Sequence, residues 1–168
     1  MLQFKILLVD DSPNILKALL RTLRPEGYTT FTAGSAREAM DVLETESIDL
    51  IVTDENMPGL SGTDLLRVMK DRYPSVIRIM VTGASDIEVA KEAINRGEIY
   101  RFFTKPWDDF ELLISIRYAL QQKAIEQDNA RLRSIVSSQE GLLRELETEH
   151  PGITERKVAA DGSIIIDE

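Results

Sequence analysis

Four short segments of this chain each close an apolar run on a residue that can handle charge. Leu7-Leu8-Val9 runs into Asp10-Asp11, Ile51-Val52-Thr53 into Asp54, Ile79-Met80-Val81 into Thr82, and Phe102-Phe103 into Thr104-Lys105-Pro106. If these ends meet, they assemble carboxylates, a hydroxyl and an ammonium. Three carboxylates in one crevice repel one another unless a hard cation lies between them, and Mg²⁺ takes oxygen ligands while keeping waters. One carboxylate could then attack a phosphorus centre while the metal and Lys105 neutralise the oxygens of the transferred group. Asp54 is the candidate nucleophile because it stands alone, whereas the adjacent Asp10 and Asp11 suit a metal. Taken singly, each residue has a plainer use: an Asp pair or a Thr can cap a helix, and a Lys can be a solvated charge. Their joint appearance at four run ends, in order, favours the chemical reading.

The elements that must position them are legible from periodicity. Apolar, β-rich runs at 5–9, 29–33, 48–53, 77–82 and 101–104 are separated by stretches of helical spacing, which gives five βα units. Ile15, Leu16, Leu19, Leu20 and Leu23 share one helical face that stops before Pro25 and Gly27. Ala36, Ala39, Met40 and Leu43 repeat the pattern, as do Leu65, Leu66 and Met69, then Ala90, Ala93 and Ile94; a fifth helix starts near Trp107. Strands one, three and four are apolar nearly throughout, as expected of parallel strands covered on both faces. The expected fold is α/β, a doubly wound parallel sheet, and such sheets bind ligands outside the carboxyl ends of their strands.

The 168 residues suffice for one well-cored domain and an appendage. A net charge of −9 disfavours a sequence-independent grip on nucleic acid, which needs clustered Lys and Arg. No residue is cysteine, so no disulfide or thiolate metal site exists, in keeping with a reducing compartment. No apolar run approaches the length of a membrane span and no leader pattern precedes the first strand, so a cytoplasmic protein without membrane partners is expected.

The motifs together resemble the receiver domain of two-component response regulators over about residues 3 to 123. The matching pieces are Leu7-Leu8-Val9-Asp10-Asp11, Asp54-Glu55-Asn56-Met57-Pro58-Gly59 with Gly62 following, Val81-Thr82-Gly83-Ala84, and Phe102-Phe103-Thr104-Lys105-Pro106. The resemblance implies a five-stranded, flavodoxin-like sheet of order 2-1-3-4-5. It implies that Asp54 is phosphorylated by a sensor histidine kinase or phosphotransfer protein, that Asp10, Asp11, Asp54 and the backbone carbonyl of Asn56 hold Mg²⁺, and that Thr82 and Lys105 bind the phosphoryl oxygens. The only catalysis implied is self-phosphorylation and self-dephosphorylation. In the family an aromatic three positions before the lysine turns inward as the threonine moves; that position is Phe102, where many receivers carry tyrosine, so no hydroxyl is available there. A second methionine common after Met57-Pro58 is replaced by the Gly59-Leu60 sequence, and Lys105-Pro106 matches the family's cis peptide.

Beyond the receiver, at 1–123, a helical coiled-coil extension at 124–150 and a short β-hairpin-like tail at 151–168 are expected. From Tyr118 a seam with spacings of four and three runs through Gln122, Ile125, Asn129, Leu132, Val136, Gln139, Leu143 and Leu146. With Asn129, Val136 and Leu143 at a, and Ile125, Leu132 and Leu146 at d, this predicts a parallel homodimer through residues 118–146, in which Asp128 faces Arg133 of the second chain. The alternative is one amphipathic helix folded back on its own receiver. Ser137 and Gly141 permit a break near 137. His150, beside Pro151, reads as a solvated turn residue, and Asp161-Gly162 between β-rich runs reads as a hairpin turn.

Residues 124–168 are too few for the larger output domains that receivers often drive, so output through protein contact, with the target unidentified, is the leading expectation. A second reading makes the chain the receiver portion of a longer multidomain regulator such as a cyclic-dinucleotide phosphodiesterase, whose receivers the stretch 100–107 resembles. A third, a metal-dependent phosphohydrolase of the haloacid-dehalogenase type, needs an Asp two residues after a first-strand nucleophile, where this chain has Ser12.

Overall fold

In a computed structural model of the chain, residues 4–152 are described. Five strands, β1 (Lys5–Val9), β2 (Thr29–Ala33), β3 (Leu50–Thr53), β4 (Ile77–Thr82) and β5 (Arg101–Thr104), pair in parallel in the order β2-β1-β3-β4-β5. Between them lie α1 (Pro13–Leu23), α2 (Ala36–Thr45), α3 (Gly62–Arg72) and α4 (Ile87–Asn95), and α5 (Asp109–Glu149) follows. This is the doubly wound, flavodoxin-like arrangement that the sequence predicts. β3 starts at Leu50 rather than residue 48, because the Asp49 side chain accepts from the Lys5 backbone N–H at 2.9 Å and so turns this stretch into a strand-entry clamp.

The period of two along each strand divides the core into two layers. Leu7, Val9, Ile51 and Met80 face α2, α3 and α4, where Ala39, Leu43, Leu65, Leu66, Met69, Ala90 and Ala93 meet them. Ile6, Leu8, Leu50, Val52, Ile79 and Val81 face the other way, onto Leu19 and Leu23 of α1 and Leu112, Ile116, Ala119 and Leu120 of α5. Phe102 packs, partly buried, on the first layer and its neighbour Phe103 on the second. Full burial of each such Leu or Ile stabilises the fold by about 1.5–3 kcal/mol, so both layers are needed.

The chain divides into two compact units, residues 1–122 and 123–168. Within the second, the helix runs through Ser137 and Gly141 without the break that these residues permit. A glycine in a helix costs only about 1 kcal/mol relative to Ala, and the surrounding Arg, Gln, Glu and Leu are good helix formers. The side chains from 125 to 146 are exposed. The predicted hairpin turn and its strands lie outside the described residues. No helix among the described residues is long and apolar enough to cross a membrane.

Helix α3 begins on a capping box between Ser61 and Asp64, and its first residue lies against the backbone after β3. A Cβ added at Gly62 would sit 2.0 Å from the Asp54 carbonyl oxygen. Gly→Ala in a helix ordinarily stabilises by up to about 1 kcal/mol. Here the clash with backbone outweighs that gain, and Gly62→Ala should lower the denaturant midpoint, whereas Gly141→Ala, with open space around it, should raise it.

Candidate functional site

The residue just past each strand end stays in line with the sheet by continuing its ladder. The Asp10 N–H donates to the Ala33 carbonyl of β2 at 3.1 Å, the Asp54 N–H to Val9 of β1 at 2.9 Å, and the Lys105 N–H to Thr82 of β4 at 2.8 Å. Backbone pairing therefore aims these side chains at a common point. Asp10, Asp11 and Asp54 each offer a carboxylate oxygen, all within 4.8 Å of one another, and the Lys105 ammonium lies 2.7 Å from Asp10 and 3.1 Å from Asp54. Asp10 and Asp54 are buried and Asp11 is exposed. Three carboxylates against one ammonium leave a residual charge of two negatives on hard oxygen donors, which fits one Mg²⁺.

Burial pushes the Asp54 carboxyl above the ordinary carboxylate value, helped by the charge of Asp10, although the Lys105 ammonium and the Glu55 backbone N–H pull the other way. Burial by itself lowers the Lys105 ammonium, but its bonds to Asp10 and Asp54 outweigh that and hold it above the usual lysine range. Thr82, at the end of β4, is fully buried, and its hydroxyl makes no hydrogen bond among the described residues. A buried hydroxyl without a partner costs about 1–3 kcal/mol, so Thr82 is placed at a cost to the fold.

Several contacts around the site have no signature in the sequence. Glu55, beside Asp54, is buried and accepts from both the backbone N–H of Thr63 at 2.8 Å and its hydroxyl at 2.6 Å, fastening the β3 turn to the start of α3. The Asn56 side-chain amide donates to Asp86 at 2.6 Å, joining that turn to the segment before α4. The Asp10 carboxylate also accepts from the Ser12 N–H at 2.8 Å, the local turn that starts α1. Lys105 precedes a cis proline, Pro106, as the motif implies.

Because the folded chain binds the Asp54 proton more tightly than the unfolded chain does, ionising Asp54 costs stability, and that cost grows as pH rises from 3.8 through the folded value. Asp54→Asn, which carries no charge, should therefore raise the thermal midpoint in EDTA at pH 7. The advantage should shrink as pH falls towards 3.8; an advantage independent of pH would refute the electrostatic origin.

The family model of the response regulator receiver domain matches residues 6–117. The chain is 36% identical over 142 residues to the transcriptional regulatory protein GlrR of Escherichia coli, covering 84% of this chain and 32% of the relative. It is 34% identical over 130 residues to the hydrogenase transcriptional regulatory protein HoxA of Cupriavidus necator, covering 77% and 27%. It thus spans about a quarter to a third of the length of these curated relatives, which are regulators. Among solved structures, the signal receiver domain of an HD domain-containing protein from Pseudomonas fluorescens superposes with a TM-score of 0.71 at 39% identity, over 76% of this chain and 94% of that one. A receiver domain protein from Clostridium thermocellum gives a TM-score of 0.68 at 34% identity, over 73% and 98%. With its strand order, its strand-end carboxylates and these relatives in agreement, the chain belongs to the response regulator receiver domain family.

Proposed function

We propose that Asp54 accepts a phosphoryl group from a sensor histidine kinase or phosphotransfer protein, and that the consequence is read out by protein contact. The observation that carries this reading is the Asp54 carboxylate 3.1 Å from the Lys105 ammonium and clustered with Asp10 and Asp11. In the forward step an Asp54 oxygen attacks phosphorus, the bond from phosphorus to the donor nitrogen breaks, and the donor imidazole leaves. Mg²⁺, held by Asp10, Asp11, Asp54 and the Asn56 carbonyl, supplies charge neutralisation on the phosphoryl oxygens when bound. Lys105 exchanges carboxylate contacts for a phosphoryl oxygen, and the Thr82 hydroxyl gains the acceptor it lacks. As Thr82 shifts towards that oxygen, Phe102 turns inward and remodels the face formed by α4, β5 and α5.

The same proposal makes the chain a homodimer through residues 118–146. Support comes from the exposed seam: Ile125, Leu132, Val136, Leu143 and Leu146 are each 43–58% exposed among the described residues. Ile135 and Leu142, at g, widen the apolar stripe. Gln122, Asn129 and Gln139 weaken it relative to aliphatics, which leaves association within the few kcal/mol that allosteric coupling commands. A second reading, that the chain is the receiver portion of a larger regulator, is favoured by the receiver of an HD domain-containing protein at 39% identity and by the quarter to a third of each curated relative that the match spans.

Acetyl phosphate should label the protein only with Mg²⁺ present, adding one phosphoryl group by intact mass, and Asp54→Asn should take up none. Thr82→Ala should still be labelled but should lose the amide-exchange changes in α4, β5 and α5 that follow phosphorylation. A chain ending at Gln122 should scatter light as a monomer at micromolar concentration and the full chain as a dimer; a full chain monomeric with and without a phosphoryl mimic sinks the dimer.

A further inference from the structure

The loop that carries Lys105 into the site is tied to α1 by a contact that the proposed chemistry does not use. Asp108 caps α5, its carboxylate accepting from the Glu111 N–H at 2.8 Å. That leaves the next carboxylate, Asp109, free for a different task. A single oxygen of Asp109 accepts from the Thr22 hydroxyl at 2.6 Å and from the Trp107 indole N–H at 2.9 Å. Thr22 is buried on the face of α1 where helical periodicity calls for an apolar residue, and Thr is a poor helix former in such a position. Its hydroxyl also lies 3.1 Å from the Ala18 carbonyl, but it has one proton, and the shorter, charge-assisted contact to Asp109 claims it.

The geometry points to Asp109 as a positioning residue: by joining Thr22 of α1 to Trp107, it fixes the loop that aims the Lys105 ammonium at Asp10 and Asp54. This rests on the reading of Lys105 above. Trp107 lies two residues beyond Lys105 and packs, partly buried, on the α1–α5 side of the sheet, while Thr22 at the other end of the tie is buried and Asp109 between them is exposed. Lys105 itself is a long, flexible side chain, and its backbone is held to the sheet by one bond, to Thr82. Its ammonium is paired with Asp10 and Asp54, and the tie through Asp109 adds a restraint on the loop that follows it. Displacements near 1 Å at a reacting group can cost about a hundredfold in rate. A carboxylate that holds the loop therefore controls the transfer step without touching the phosphoryl group.

The test uses the full chain with Mg²⁺ and phosphoramidate as donor, measuring the rate constant at saturating donor and the half-saturating concentration separately. Asp109→Ala and Thr22→Val should each lower the saturated rate about tenfold or more, with half-saturation unchanged. Thr22→Ser, which retains the hydroxyl, should restore it, and Asp109→Asn, which keeps an acceptor oxygen, should stay close to wild type. Trp107 is the sole tryptophan, so its emission reports the broken indole bond in Asp109→Ala and confirms that the tie was cut. Wild-type rates in Asp109→Ala and Thr22→Val, with only the thermal midpoint lowered, would overturn the proposal and make the contact plain α1–α5 packing. Lys105→Ala serves as the control: slow transfer there with fast transfer in Asp109→Ala overturns the positioning role alone, and wild-type transfer in Lys105→Ala overturns both readings.

Discussion

Like charges repel most where water is scarce, and this fold places Asp10 and Asp54, both buried, at one sheet edge with Asp11 beside them. Much of the surrounding structure answers that constraint. The ladder bonds that extend past the strand ends, Asp10 to Ala33 and Asp54 to Val9, hold together two carboxylates that electrostatics alone would splay apart, and the bond of Lys105 to Thr82 keeps a compensating cation beside them. The ammonium of Lys105, shared between Asp10 and Asp54, offsets one charge, and burial, helped by the charge of Asp10, still leaves the Asp54 carboxyl raised. The two negative charges left over are what one divalent cation would balance.

Holding Asp54 in this setting requires a rigid turn behind it. Gly62 lets the first residue of α3 approach the Asp54 carbonyl more closely than any Cβ permits, and Glu55 clamps Thr63 by backbone and hydroxyl together. These contacts are within the hydrogen-bonded backbone framework and lie under the site rather than in it. On the far side of the sheet, Asp109 and Thr22 do the corresponding service for the loop after β5. Asp54 and Lys105 are thus each backed by a neighbouring helix, α3 for one and α1 for the other.

The alternation of the strands ties the end of β5 to both core layers. Phe102 and Phe103 are neighbours in sequence but pack in opposite core layers. Helix α5 changes character along its length: Leu112, Ile116, Ala119 and Leu120 are buried against the sheet, whereas the residues from 125 to 146 keep helical spacing and are exposed among the described residues. The change reflects a shift in composition, from a broad apolar face to a narrow heptad seam interrupted by Gln and Asn.

The sequence by itself determined the five strands, their order of appearance, the apolar faces of the helices and the four strand ends that carry charge. Those signals are local: a period of two or 3.6 and a polar residue at the end of an apolar run can be read a few residues at a time. The helix through Ser137 and Gly141 stayed ambiguous because two weak helix formers neither break a helix nor guarantee one. Only the tertiary structure decided which charges touch. Lys105 meets Asp10 across 95 positions of sequence and Thr22 meets Asp109 across 87. Such pairings leave no periodic trace, since any acid and any donor would read the same along the chain. The approach of Gly62 to Asp54, the clamp from Glu55 to Thr63 and the unpartnered hydroxyl of Thr82 likewise exist only once the sheet and helices have packed, because each is a distance between backbones or buried atoms rather than a pattern of residue types.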